Sequence, residues 1–128
     1  MPTKFQKLPN EPVVVVTLPK VYNLAAELPV LMPQYMELLN SSKTTLFWIV
    51  DARESSLSVD EIVTGASLVA RGEHPLYRHP NIRQVIYVTT SEIMKLAITG
   101  MQTEAFGKLQ IKLFDDLDEA LAYTRENK

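Results

Sequence analysis

Thr45-Leu46-Phe47-Trp48-Ile49-Val50 is apolar at every position after the first. A strand wet on one face alternates apolar and polar residues, whereas a strand covered by helices on both faces is apolar throughout. The stretch is therefore predicted to be the centre of a sheet with helices on either side. Upstream, Val13-Val14-Val15-Val16-Thr17-Leu18 is an unbroken β-branched run bracketed by Pro12 and Pro19, and it reads as a second buried strand. Residues 1–11, with Pro2 and Pro9 and no period, read as a loosely attached N-terminal arm.

Between these runs, Leu24, Leu28, Leu31, Tyr35 and Leu38 recur at helical steps. Pro29 and Pro33 each remove a donor, so the regular helix is expected to begin or bend near Pro29 and to end at Asn40-Ser41-Ser42. After the central run, the loop 51–57 leads to Ser58, with Glu61 three residues on, a capping box opening a helix to about Arg71. The turn-rich segment Gly72 to Pro80 precedes a third strand, Ile82 to Val88. Ser91 to Phe106 reads as a helix stopped by Gly107, Leu109 to Phe114 as a strand, and Asp116 with Glu119 as the start of a last helix. Strand and helix alternate four times. The expected class is α/β: one domain over residues 1–128, with a four- or five-stranded, largely parallel sheet and alternating helices.

Composition narrows the function classes. A length of 128 residues suits one core, and the 46% apolar and 22% charged fractions exclude a mainly disordered chain. A net charge of −2 gives no positive field for nucleic-acid phosphates, so nucleic acid is not an expected partner. Without Cys there is no disulfide, thiolate nucleophile or Cys-containing zinc site, and no cofactor is expected. No apolar run reaches the ~18 residues a membrane span needs, so the expected location is the cytoplasm. A Gly-x-Ser-x-Gly elbow, a phosphate loop and a His-Glu-x-x-His motif are all missing, which leads to a non-enzymatic reading.

In open α/β sheets, function gathers in the loops leaving the carboxyl ends of the strands. Asp51 ends the central strand, either as a ligand or base-orienting acid or as the cap of the following turn. Ser55, Ser56 and Ser58 bring hydroxyls to a helix amino end, as caps or as phosphoacceptors. A second cluster, Arg71, His74, Arg78, His79 and Arg83, is a candidate contact for an anion or an acidic partner. The five-residue spacing of His74 and His79 fixes no metal geometry, so no metal site is expected.

From Leu46 onward, the order and spacing of these segments resemble the STAS domain, the fold of anti-sigma-factor antagonists and of sulfate-transporter tails. The resemblance rests on the strand to Asp51, the Ser-rich loop, the helix from Ser58, the strand Ile82 to Val88, and a helix through Met94 and Met101. It closes on Ile111-Lys112-Leu113-Phe114-Asp115-Asp116-Leu117-Asp118-Glu119-Ala120-Leu121. It implies a STAS-like sheet and a protein partner docked through the loop 51–58. In antagonists this loop reads Asp-Ser-Ser-Gly-Leu-Gly and one Ser is phosphorylated. Here it reads Glu-Ser-Ser-Leu-Ser-Val-Asp-Glu, with Ser58 the nearest positional equivalent, Ser56 the alternative, and neither Gly. The group also includes uncharacterised bacterial proteins and resembles lipid-binding relatives, and this chain looks nearer to those.

Three functions compete. The first is a binding or regulatory module. The second is a carrier of a small apolar or anionic ligand between the sheet and helices rich in Leu31, Met32, Met36, Met94 and Met101. The third is an enzyme pairing Asp51 with His74 or His79, which requires those groups to converge. Tyr22, Val30 and Leu39 form a candidate homodimer patch.

Overall fold

The computed structural model describes residues 4–9, 11–19, 24–54, 79–100 and 111–127. The predicted helix 58–71 and residues Ser55, Ser56, Ser58, Arg71, His74, Arg78, Met101 and Tyr22 lie outside them. In chain order the described elements are β1 (Lys4–Lys7), β2 (Val13–Thr17), α1 (Leu24–Ser41), β3 (Leu46–Asp51), β4 (Ile82–Val88), α2 (Glu92–Gly100), β5 (Ile111–Phe114) and α3 (Leu117–Glu126). The sheet order is β1-β2-β3-β4-β5. β2 to β5 are parallel, and β1 pairs antiparallel with β2. The α/β class and the largely parallel five-stranded sheet are as the sequence indicated.

The apolar run at 46–50 is buried at every position because alternate side chains enter different cores. Leu46, Trp48 and Val50 join Val14, Val16 and Val85 on one face, under Tyr35 and Leu39 of α1 and Met94 and Ile98 of α2. Phe47 and Ile49 join Val13, Val15, Ile86 and Val88 on the other, under Ala120 of α3. Right-handed crossovers that always step the same way along a sheet put their helices on one face, which accounts for α1 and α2 lying together. Among the described helices, α3, which follows β5, covers the opposite face.

Three sequence expectations need correction. Residues 4–7 belong to no loose arm: they form an edge strand with Phe5 opposite Val16, and Phe5 packs edge-on against Tyr35 at 5.0 Å. Four residues with one inward apolar side chain carry no readable period, yet ladder bonds and one ring contact fix them. Next, α1 begins at Leu24 and runs through both prolines. Pro29 and Pro33 are one helical turn apart and each removes one backbone donor; Pro33 is exposed. Finally, Leu39 is fully buried in the α1-side core, which removes it from any dimer patch, while Val30 is exposed.

Met94 is likewise buried, and Leu31, Met32 and Met36 pack against the same core. These side chains fill the space between sheet and helices. Among the described residues no helix is long and apolar enough to cross a membrane.

The amino edge of the sheet is held by side-chain contacts. Asn81 Nδ2 donates to the Leu39 and Ser42 carbonyls at 2.7 and 3.3 Å, supplying donors that the carboxyl end of α1 lacks. His79 Nδ1 accepts the Asn81 backbone N–H at 3.0 Å, and its Nε2 meets Asn40 Oδ1 at 2.7 Å.

Candidate functional site

Parallel strands send every following loop to the same edge. Leu18, Ala52, Thr89 and Asp115 therefore leave β2, β3, β4 and β5 side by side, and this carboxyl edge is where the sheet presents loops for function. The ladder continues one step past the strands here: Leu18 N–H donates to the Asp51 carbonyl, Ala52 N–H to Val88, and Thr89 N–H to Phe114. Backbone hydrogen bonds thus hold the edge up to the residue at which these loops start.

Asp51 ends β3 with its side chain 9% exposed, and Arg53 encloses its carboxylate. Oδ1 accepts the Arg53 backbone N–H at 3.2 Å and Nε–H at 2.9 Å, and Oδ2 accepts Nη2–H at 2.9 Å. A buried carboxylate needs such donors, and the backbone bond closes a turn that sets the direction of the loop. The hydrogen bond to Asp51 holds the Arg53 guanidinium above its already high ordinary pKa, with added attraction from Asp51, Asp116 and Asp118, so it is charged at any working pH. Glu54 follows, and Thr17, Leu18, Asp51, Arg53 and Glu54 line an open depression of about 390 Å³.

Neighbouring connections diverge between β4 and β5, because α2 and α3 cover opposite faces. Ligands of open α/β sheets favour such a crevice. Here a salt bridge spans it: Lys95 Nζ lies 2.6 Å from Asp115 Oδ1 and 3.9 Å from Glu92 Oε1. Thr89, buried beneath, accepts the Ser91 N–H and donates weakly to Met94 Sδ, while Ser91 Oγ caps α2 by accepting the Met94 N–H. Asp116 caps α3 by accepting the Asp118 N–H.

The hydrogen bond to Asp115 raises the Lys95 pKa, helped by the charges of Asp115 and Glu92. A raised lysine value stabilises the fold at all pH below the unfolded value and ceases to do so as pH climbs through the folded one. Urea midpoints of the parent chain and Lys95→Met are therefore expected to differ by a constant amount through neutrality and to converge above about pH 10.4.

The described members of the second candidate cluster, His79 and Arg83, do not meet Asp51. His79 and Arg83 sit at the amino edge, and Asp51 faces Val88 at the other end, so ~20 Å of β4 separates them at about 3.3 Å per residue. Asp51 and His79 thus cannot act on one substrate atom, and His79 is bound within the clasp on α1. Arg83 falls at a register irregularity between β3 and β4 and lies 5.2 Å from the Phe47 ring centroid. Among the described residues no group of three His, Asp or Glu is placed to hold a metal ion.

Sequence reasoning located Asp51 from its place at a strand end but missed Arg53, Lys95 and Asp115. Asp-x-Arg is too common a spacing to signal a buried pair, and Lys95–Asp115 joins α2 to the turn after β5, a proximity that depends on topology.

No protein-family profile matches the chain, and neither does any curated protein. Solved structures do. A DUF3478-family protein with a SpoIIAA-like fold from Shewanella loihica PV-4 superposes with TM-score 0.60 at 16% identity, covering 95% of this chain and 91% of that one. An anti-sigma factor antagonist from Mycobacterium paratuberculosis superposes with TM-score 0.51 at 18% identity, covering 96% and 92%. With the sheet order and these superpositions over nearly its whole length, the chain has the SpoIIAA-like, STAS-like fold that its sequence resembles.

Proposed function

We propose that the chain is a non-enzymatic regulatory module that docks a protein partner at the carboxyl edge of the sheet, through the loop 51–58 and the segment following it. The observation that carries this reading is the buried Asp51 carboxylate gripping Arg53. It fixes the first turn of the loop while leaving the Arg53 side chain 41% exposed beside the open depression. A pre-oriented arginine with donors to spare, next to a concave surface that also offers Thr17, Leu18 and Glu54, suits a protein contact. The fold shared with an anti-sigma factor antagonist supports the same reading.

The test is affinity capture from the native cells, identification of the partner, and titration of that purified partner. Arg53→Ala is expected to weaken binding about tenfold, the loss of ~1.4 kcal/mol. A triple Ser55, Ser56, Ser58→Ala variant is expected to weaken it and to abolish labelling by any kinase that acts on the loop. Unchanged affinity in both variants contradicts the proposal.

A further inference from the structure

We propose that the α3-covered face of the sheet carries a second contact site, for an acidic peptide segment of a protein partner, built from Arg83, Gln84 and Lys112 around Tyr123. This site is separate from the carboxyl-edge loop and does not depend on it. Tyr123 of α3 stands at its centre. The ring packs against Phe47 at 6.2 Å and Phe114 at 5.6 Å, and its hydroxyl donates to Gln84 Oε1 at 2.6 Å. Lys112 Nζ rests 5.7 Å from the Tyr123 centroid, and Arg83 Cζ lies 5.2 Å from that of Phe47.

Three features make this more than two surface cations. Both positive groups sit over ring faces, which restricts long side chains that otherwise lose much rotamer freedom on binding. Neither is neutralised: Arg53, Lys95 and Arg125 have carboxylate partners, while among the described residues no carboxylate lies within ion-pairing reach of Arg83 or Lys112. The site is also rich in donors, because the Gln84 carbonyl oxygen is taken by Tyr123 and its amide N–H groups remain beside the two cations. Arg83 owes its place to the shift in register next to Phe47, and such irregularities re-aim a side chain out of the ladder. Charged donors flanking a tyrosine match closely spaced carboxylates on an extended segment.

The test is an NMR titration of the full isotope-labelled chain with hexaglutamate at low salt. Saturable shifts are expected at Arg83, Gln84, Lys112 and Tyr123, weakening as salt is added. An R83M/K112M variant, which keeps apolar stems over both rings, is expected to bind about tenfold more weakly, about threefold for each exposed pair. Shifts spread evenly over Lys4, Lys7 and Lys43, or equal affinity in the variant, overturn the proposal. Binding of inorganic polyphosphate at the same residues with equal or greater affinity overturns the peptide assignment. The wild-type titration decides the location even if the variant does not fold.

Discussion

Replacing Trp48 by Ala is expected to cost about 3–5 kcal/mol, a third or more of the stability of a typical domain. Trp48 is 1% exposed at the middle of β3, and its ring meets Tyr35 of α1 edge-on at 5.1 Å. Tyr35 in turn meets Phe5 of β1 edge-on at 5.0 Å. The indole is thus the inner member of a row of three rings that ties the central strand, the long helix and the edge strand together. Removing it opens a cavity bounded by strands that cannot collapse without breaking their ladders. Urea unfolding followed by circular dichroism should show the loss as a lower midpoint, with Trp48→Phe falling in between because an aromatic face remains toward Tyr35. A Trp48→Ala variant as stable as the parent would mean that β3 is not the centre of the core.

Leu39→Ala carries the next largest expectation, about 2–5 kcal/mol. Leu39 is fully buried on the sheet-facing side of α1, and its carbonyl receives the Asn81 side chain. The expected result is a lowered midpoint with an unchanged elution volume on size-exclusion chromatography. An unchanged midpoint with an altered oligomeric state would instead place this residue on a subunit contact.

These two side chains show how much of the fold could be read in advance. β2 and β3 announced themselves because continuous apolar runs have few alternatives in a layered fold, and β4 through its apolar end Val85 to Val88. Leu39 did not, since a helix face inferred from spacing leaves its flanks ambiguous until the opposing sheet is known. The edge strand was hidden for another reason: Lys4, Gln6 and Lys7 are the charged and polar residues that protect an open sheet edge, and in sequence they look like a tail. Asp51 was legible from its place at the end of a buried strand. Arg53 was not, because what distinguishes its pairing is the burial of the carboxylate, a consequence of packing rather than spacing. The separation of the Arg83 and His79 cluster from Asp51 likewise follows from strand direction alone.

The assignment of function rests on partners meeting the edge where Asp51 and Arg53 stand. Photocrosslinking in the native cells tests it most directly, with a benzophenone amino acid placed at Glu54 in one variant and at Lys43, beyond the opposite end of β3, in another. Adducts containing a second, different protein from Glu54 and none of that protein from Lys43 are the predicted outcome. The same adduct from both positions, or from Lys43 alone, would contradict it.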